Sequence, residues 1–581
     1  MRRLIYIFLS LWMFQGCSND FLDLLPKDTV SNSQYWSSTK DLKTYVNQFY
    51  THFSDGYQFG SGMSETDIGT DDLIRMKMSI PRLNGELSVP TTGATWGEYR
   101  QIRALNFFFA NYNKCKSDFD SYKQYVGEAY FFRAFFYFRL VQKYGDVPLI
   151  ISVLNSDSGE LYAARTSRVE IVQFILTDLN NAIKLLSSGD IEDKTRISKE
   201  AALLFKTRVG LYEGTWERYH KGTAFGVDND ESIFFRAAVD AGNELIASNV
   251  YSVYCKDNDP NLDYQSMFRS FNLSNNTEII LQKKYDIALG LWHRHIINNA
   301  QTCGDGGEFT SKGATLSLIS DYLMKDGTPY SKSSLYRKEA AYADYFTGRD
   351  PRMLQTFVTP GEIIDRDEAN PENNRFFVKP ELLSANKYDY SVTGFRTNKG
   401  GVPDLKYRVL GSDDSPTIYF RYAEALLNFA EAKAELGELT QADLDKSINK
   451  LRDRVGIAHM KLTPETDSKW NFPDVSGLIN EIRRERRVEL CFEGFRFNDL
   501  MRWNATNLIK NQRPKGIKFF ADQYPDLVVG HDVTLDANGY LDPLQKLIPE
   551  GYQFNSLRDY LLPISIEQLN LNERLEQNPG W

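Results

Sequence analysis

Glutamates that recur at every fourth position are the strongest candidates for acid–base chemistry in this chain. A glycosidase needs two carboxyl groups about 5 Å, or about 6.5–9.5 Å, apart, and one of them needs a raised pKa. The arginines interleaved with these glutamates would keep the carboxyl groups ionised, so we interpret the run as structural ion pairing, with a glycosidase as the alternative. The run consists of Glu481, Glu485, Glu489 and Glu493 with Arg483, Arg484, Arg486, Arg487 and Arg496.

Three aspartates near the N-terminus have a spacing that could suit a hard cation. Asp67, Asp71 and Asp72 lie in the sequence SETDIGTDDL, and calcium uses oxygen ligands two to five residues apart. The segment lacks the EF-hand pattern and its final glutamate, so we expect a solvated or capping role. The only closely spaced histidines are His293 and His295, without an HExxH motif. We therefore expect no metal, no cofactor and no catalytic residues.

Sugar binding requires a flat aromatic face against the ring and amide or guanidinium donors for the hydroxyls. Two regions rich in loop-forming residues offer this combination. Core packing is the better interpretation for Trp96, whereas ligand contact and packing both remain open for Trp292. The candidates of the first region are Tyr57, Phe59, Arg82, Asn84 and Trp96. Those of the second region are Tyr285, Trp292, His293, Arg294 and Asn299.

The first seventeen residues have the order of a lipoprotein signal peptide. Arg2 and Arg3 precede an apolar run over residues 4–14, which is too short to span a bilayer, and Cys17 follows directly after Gly16. We expect cleavage before Cys17 and lipid attachment to its thiol. The alternative is an ordinary secreted protein in which Cys17 is incidental.

Length and composition limit the classes of function. The chain has 581 residues, more than the ~250–300 at which a single core stops growing, so a large elaborated domain is expected. A net charge of -9 without a basic block argues against nucleic acid as a partner. The 5 cysteines show neither CxxC nor zinc-ligand spacing.

Helical patterns dominate the elements that would position these residues. Residues 121–144 are apolar around most of a helix and end at Gly145, while Ser167 and Ser198 each begin an amphipathic helix. In the C-terminal part, the sequence predicts a helix over 419–436 and another from Thr440 to Val455, a pair of about tetratricopeptide length. Residues 250–415 are instead predicted to form long loops with short strands, at 278–282 and 375–378.

Several separate blocks of the sequence resemble the SusD/RagB family of outer-membrane nutrient-binding lipoproteins of Bacteroidota. Among them are FLDLLPKDTVSNSQYW, GEAYFFRAFFYFRLVQKYGDVPLI and IRRERRVELCFEGFRFNDLMRW. Single blocks are weak signals, but their combination in the family's order is specific. The matching blocks lie at residues 21–36, 127–150, 315–330, 348–354, 419–438, 482–503 and 560–581.

The resemblance implies a mostly α fold, in which a tetratricopeptide-like scaffold of helical pairs carries long loops and short strands that form a ligand-binding face. It implies a non-catalytic protein on the cell surface, anchored to the outer membrane through Cys17. Its partners would be a SusC-like TonB-dependent transporter and a glycan, or alternatively a peptide. The expected organisation is a signal peptide over 1–16 and one domain over 17–581. Its parts are helical over 21–249, loop-rich over 250–415 and helical over 416–581.

The signal sequence generates a direct prediction for membrane attachment. Cys17→Ala removes the only thiol that could carry the lipid, so we expect the variant to leave the membrane fraction. Fractionation of cells expressing both proteins, with mass spectrometry of the wild-type N-terminus, makes the measurement. A variant that stays in the membrane fraction, together with a wild-type N-terminus free of acyl chains, would contradict the anchor.

Overall fold

The computed structural model describes residues 35–53, 67–76, 80–92, 96–300, 312–383 and 390–581, with the backbone alone at 298–300. Cys17, Tyr57 and Phe59 therefore lie outside the described residues, as does the Asn299 side chain. No helix in this part of the chain combines the length and apolar character that a membrane span requires. Cys115, Cys255 and Cys491 are free thiols.

The described residues are mostly helical, which confirms the predicted fold class. Long helices follow one another in the first half, and shorter helices are separated by loops in the second. In chain order they are α1 Thr39–Tyr50, α2 Pro81–Asn84, α3 Glu98–Phe109, α4 Lys123–Tyr144, α5 Arg168–Leu185, α6 Lys199–His220, α7 Ser232–Ser248, α8 Asp263–Arg269, α9 His295–Ala300, α10 Leu316–Asp321, α11 Pro351–Thr356, α12 Tyr422–Glu435, α13 Gln441–Lys446, α14 Ile448–Val455, α15 Gly477–Leu490, α16 Arg496–Arg502 and α17 Ile566–Leu571.

Helix α4 is the centre of the N-terminal scaffold and packs against α3 and α5. Its apolar circumference is buried as predicted, with Phe132, Phe136 and Leu140 almost inaccessible to solvent. The helix ends at Gly145, which has a φ of 69° and whose Cβ would lie 2.9 Å from a methyl carbon of Leu561. Both the backbone angle and this close approach require glycine there.

Consecutive helices pack side by side in pairs, α4 with α5 and α6 with α7, and α7 also packs against α12. Small residues on α6 allow the close approach of α7: a Cβ at Gly210 would lie 2.6 Å from the carbonyl oxygen of Phe234. Stacked antiparallel helix pairs of this kind are the tetratricopeptide-like arrangement. The scaffold therefore buries one face of each helix pair against the next pair.

Short strands join segments that are distant in the sequence. Three antiparallel pairs form, β1 with β3, β2 with β6 and β4 with β5. The first pair aligns Leu73 with Ala314 and so ties the N-terminal aspartate segment to the start of α10. The strands are β1 Leu73–Arg75, β2 Ile279–Lys283, β3 Lys312–Ala314, β4 Ile363–Asp365, β5 Arg375–Phe376 and β6 Thr417–Arg421.

Two predicted helices in the C-terminal part have different bounds in the structure. Residues 419–421 belong to strand β6, where pairing with β2 overrides their helical pattern, and the helix begins at Tyr422. The predicted helix from Thr440 breaks at Ser447, whose ψ of -99° is not helical, so α13 and α14 are separate. The glutamate helix α15 ends at Leu490, so Glu493 lies beyond it.

Helix α15 carries its ionised side chains into the protein interior, and every residue from Ile479 to Leu490 is buried. Around Glu489, Nη2 of Arg454 lies 2.7 Å from one carboxylate oxygen, and Nη1 of Arg352 lies 3.0 Å from the other. Nη1 of Arg421 is 2.8 Å from the first oxygen. Burial raises the pKa of Glu489, but the three guanidinium groups outweigh it and hold the pKa well below its ordinary value. The predicted structural ion pairing is confirmed.

Two of the three aspartates near the N-terminus, Asp71 and Asp72, pair with arginines of α15 and α16, whereas burial and the nearby Asp72 raise the pKa of Asp67 to about 8. Nη2 of Arg496 lies 2.7 Å from Oδ2 of Asp71, and Nε of Arg487 lies 2.7 Å from Oδ1 of Asp72. Both aspartates are buried, so the expected solvated or capping role was wrong: arginines of distant helices satisfy these carboxylates. The described residues contain no group of three or more side chains that could hold a metal ion.

Within this network of buried ion pairs, we expect the Glu489 carboxylate to make a large contribution to the free energy of unfolding. Glu489→Gln removes the charge that three buried guanidinium groups share, and breaking a buried ion pair typically costs about 3–5 kcal/mol. We expect a loss of this size in the free energy of unfolding, measured in urea. Glu567→Gln, at an exposed position of α17, is the matched control and should change nothing measurable.

The same pair of variants tests the pH dependence. The pKa of Glu489 is lower in the folded state than its ordinary 4.5, so its contribution is complete above that value and is lost as the pH falls below it. The wild type should therefore lose more stability than Glu489→Gln on acidification. Equal stability of the two proteins at pH 7 would contradict the assignment.

Candidate functional site

The second candidate region forms a compact surface loop between β2 and α9. A short 3₁₀ turn spans Ile287–Leu289 and ends at Gly290, which has a φ of 72°. The Asp286 carboxylate accepts a hydrogen bond from the Ala288 amide at 2.9 Å, and Asp286 also pairs with Leu291 through the backbone. These local bonds hold the loop in one conformation.

His293 anchors this loop to the segment before β6. Its Nε2 donates to the Ser415 carbonyl oxygen at 2.6 Å, and its Nδ1 lies 3.2 Å from the Asp413 carboxylate. Asp413 also accepts a hydrogen bond from the Ile296 amide at 2.8 Å. Burial raises the pKa of Asp413, but His293 and the Ile296 amide outweigh it and leave the pKa below its ordinary value. With only 2% of its surface exposed, His293 positions the loop instead of facing solvent.

Trp292 is presented to solvent by this anchored loop. Its side chain is 36% exposed, and a Cβ built on Gly411 would lie 3.8 Å from the indole Cε2. The indole therefore rests on the turn at Gly411 while part of it remains accessible. Tyr285 packs edge-on against His293, with ring centroids 4.5 Å apart, and Arg294 is exposed.

Exposed apolar side chains lie next to Trp292 in the sequence and next to Gly411, on which its indole rests. Leu291 precedes the tryptophan, and Val409 and Leu410 precede the glycine. We call residues 285–294 and 409–413 the Trp292 surface. An accessible aromatic ring beside an exposed guanidinium group has the chemistry to stack on the C–H face of a sugar ring and donate to its hydroxyls.

Among the described residues of the first candidate region, Arg82 and Trp96 line different cavities. Nε and Nη2 of Arg82 donate to the carbonyl oxygens of Asp559 and Tyr560, both at 2.6 Å, and its guanidinium lies over the Phe497 ring. This side chain lines a central cavity of about 500 Å³. Burial lowers the pKa of Arg82 to about 10. Asn84 lies at the end of α2 and is half-buried.

Trp96 faces a different cavity, an apolar groove of about 420 Å³ beside α3 and α17. Its ring packs 5.0 Å from the Tyr144 ring and 5.7 Å from the Tyr99 ring. These contacts agree with the core-packing interpretation of Trp96. Although Arg82 and Trp96 are near each other in the sequence, they lie in separate parts of the fold.

Sequence reasoning missed the residues that hold the Trp292 surface in place. Asp413 and Ser415 lie about 120 positions after His293, and Gly411 supports the indole from the same segment. The only local signal was the turn-forming composition of GSDDSP at residues 411–416. A turn signal does not tell which distant loop the turn will contact.

Family models match both parts of the chain. The model described as "SusD family" matches residues 277–581, which is more than half of the chain. A second model, described as "Starch-binding associating with outer membrane", matches residues 20–211. Together the two matches cover the regions before and after the middle of the molecule.

Individual proteins show the same similarity over nearly the whole length. SusD-like protein P2 of Formosa agariphila is 23% identical over 577 residues, 97% of each chain. The structure of a SusD-like carbohydrate binding protein from Bacteroides fragilis has a TM-score of 0.70 and 22% identity, and the match covers 93% of this chain and 100% of that one. A laminarin binding SusD-like protein has a TM-score of 0.53 and 18% identity, over 94% of this chain and 100% of that one.

Proposed function

The chain belongs to the SusD family, and we propose that it binds an oligosaccharide outside the cell and delivers it to a partner TonB-dependent transporter without cleaving it. The outer-membrane association in the description of the second family model supports this location. The signal sequence before Cys17 supports a lipid anchor exposed on the cell surface.

The observation that carries the proposal is the presentation of Trp292. An indole partly exposed on a loop that buried His293 and Asp413 hold in place has already lost most of its conformational freedom. Binding then requires little further ordering, which is the usual advantage of a pre-formed aromatic platform. Arg294, two positions later in the sequence, adds an exposed guanidinium donor. The carbohydrate-binding and laminarin-binding descriptions of two structural neighbours support a glycan as the ligand class.

Peptide binding is the second candidate, because the surroundings of Trp292 are apolar. Leu289, Leu291, Val409 and Leu410 are all exposed large aliphatic side chains. Such side chains could hold apolar residues of an extended peptide as readily as the C–H face of a sugar. Titration with both ligand classes separates the two candidates.

The environment of the glutamates on α15 supports the proposal that the protein does not hydrolyse its ligand. Glu485 accepts from Arg352 and Arg452 at 2.6 and 2.8 Å, and the pKa of Glu485 is lowered because these guanidinium groups outweigh its burial. A glycosidase needs one carboxyl group that remains protonated near neutral pH. The pKa values of Glu485 and Glu489 are lowered instead, and both side chains are buried.

Trp292→Ala should weaken oligosaccharide binding without unfolding the protein. Loss of one stacking contact is worth about 1 kcal/mol, which is a roughly fivefold to tenfold change in affinity. Calorimetric titration with laminarin oligosaccharides, followed by a glycan array if these do not bind, makes the measurement. Phe119→Ala, an exposed aromatic side chain before α4, is the matched control and should leave affinity unchanged.

Phe136→Ala provides the contrast in stability, because Phe136 is 1% exposed and truncating a buried aromatic typically costs about 3–5 kcal/mol. Thermal melts of the variants should show a large decrease for Phe136→Ala and almost none for Trp292→Ala. If Trp292→Ala lowers the melting temperature as much and leaves affinity unchanged, Trp292 is a packing residue and the Trp292 surface is not the site.

Incubation with laminarin oligosaccharides should produce no new reducing ends, because the pKa values of Glu485, Glu489 and Glu493 are lowered and these carboxyl groups stay ionised. A reducing-sugar assay over many hours makes the measurement, with a known glucanase as the positive control. Release of reducing ends that follows the folded protein through successive chromatographic steps would overturn the non-catalytic proposal.

A further inference from the structure

A third cavity, of about 400 Å³, lies apart from the Trp292 surface and shares no lining residue with it. Asp71 lines it together with three segments that are distant in the sequence, from within residues 316–337, 467–471 and 507–515. We call it the polar cavity. Its volume is in the range of small-molecule sites and is large enough for one or two sugar units.

The carboxylates that line the polar cavity pair with arginines of α15. Asp467 accepts from Nη2 of Arg484 and from the Ser331 hydroxyl, both at 2.5 Å. Asp321 pairs with Arg487 and accepts from the Asn471 amide at 2.8 Å. Arg487 also pairs with Asp71, a third lining carboxylate, and with Asp72, so every lining carboxylate has a guanidinium partner, but the charge of Arg487 is shared by three carboxylates.

The cations of the polar cavity are balanced much less completely. Arg513 and Lys515 share one carboxylate, Asp542, with nitrogen–oxygen distances of 3.0 and 2.5 Å. Neither Arg337 nor Lys469 has a carboxylate within ion-pair distance in the described part of the chain. Beside the three lining carboxylates, four cations thus line the cavity, and two of these, Arg337 and Lys469, have no carboxylate partner in the described part of the chain. Uncompensated charge of one sign in a concave site attracts a ligand of the opposite sign.

Arg337 is held in an uncommon backbone conformation. Its φ is 55°, in the left-handed region that a non-glycine residue rarely adopts, and its amide donates to the Tyr330 hydroxyl at 3.3 Å. Its guanidinium lies over the Tyr540 ring at 4.8 Å and is 5.5 Å from the centre of the Tyr336 ring. Backbone strain of this kind persists where surrounding contacts impose it, and it is enriched at binding sites.

Groups suited to hydroxyls complete the lining. Asn507 and Gln512 are exposed, and neither side-chain amide makes a hydrogen bond within the described residues. Both amides are therefore accessible to a ligand. The half-buried ring of Tyr336 supplies an aromatic face. An aromatic ring with nearby amides is the combination that sugars require, and the cations add selectivity for an anion.

We propose that the polar cavity is a second binding site, and that it takes an acidic sugar, a saccharide unit that carries a carboxylate or a sulfate group. Arg337 and Lys469 contact the anionic group, Tyr336 contacts the ring face, and Asn507 and Gln512 bind hydroxyls. This goes beyond the proposed function, because both the location and the charge of the ligand differ from those at the Trp292 surface.

Titration of the purified full chain with digalacturonate, galactose 6-sulfate and neutral galactobiose tests the proposal. We expect digalacturonate and galactose 6-sulfate to bind and neutral galactobiose not to bind. If the cavity distinguishes carboxylate from sulfate, only one of the two acids binds. Raising the salt concentration should weaken this binding, because the Debye length falls from ~10 Å at 0.1 M to ~3 Å at 1 M.

Two variants address the cations. Lys469→Gln removes one charge at an exposed position, and Arg337→Asn removes the other with a residue that tolerates the left-handed backbone. We expect each to weaken binding of the acidic sugar by about tenfold, a loss of ~1.4 kcal/mol. Lys461→Gln, another exposed lysine, is the matched control. Trp292→Ala should leave this affinity unchanged, and thermal melts verify that each variant is folded.

Four results would overturn the proposal: no binding of either acid at millimolar concentration, equal binding of galactobiose, unchanged affinity in Lys469→Gln, or displacement by inorganic sulfate with the affinity of the sugar acids. The last result would identify a simple anion patch. If the acids bind but no ligand is found whose affinity Trp292→Ala lowers, the function proposed for the Trp292 surface is wrong, and the proposal for the polar cavity remains supported.

Discussion

The buried ionic network around α15 is the constraint on which the rest of the structure depends. Removing a charged side chain from water costs several kcal/mol, so each charge needs a partner in the correct place. Glu489 alone binds guanidinium groups from β6, α14 and α11. The network therefore stabilises only one arrangement of these elements and joins the helical scaffold to the loop-rich part of the chain.

Both surfaces that we assign to ligands depend on this network. The carboxylates that line the polar cavity pair with Arg484 and Arg487 of α15, while Arg337 and Lys469 have no carboxylate partner in the described part of the chain. The Trp292 surface is tied to the same network through the segment before β6: Asp413 holds the loop, and Arg421, at the end of β6, binds Glu489. One ionic core thus positions a mostly apolar surface and a polar cavity.

The candidate site was predictable in part, because the chemistry of a single side chain is visible in the sequence. Trp292 stands in a glycine-bearing polar stretch without a helical pattern, and the structure exposes it. The separate locations of Arg82 and Trp96 were not predictable, since the direction of each side chain depends on which helix packs over it. The same holds for the polar cavity, whose lining comes from Asp71 and three further segments that the sequence gives no reason to associate.

The sequence by itself determined what local chemistry controls: the mostly helical class, the helix start at Ser167 and the helix ends at Gly145 and Gly456. Only the tertiary structure decided what depends on distant partners. It placed residues 419–421 in a strand and gave Asp71 and Asp72 their arginines. The physical reason is that capping and helical periodicity act within a few residues, whereas strand pairing and ion pairing join residues hundreds of positions apart, at an entropic cost that only the complete fold compensates.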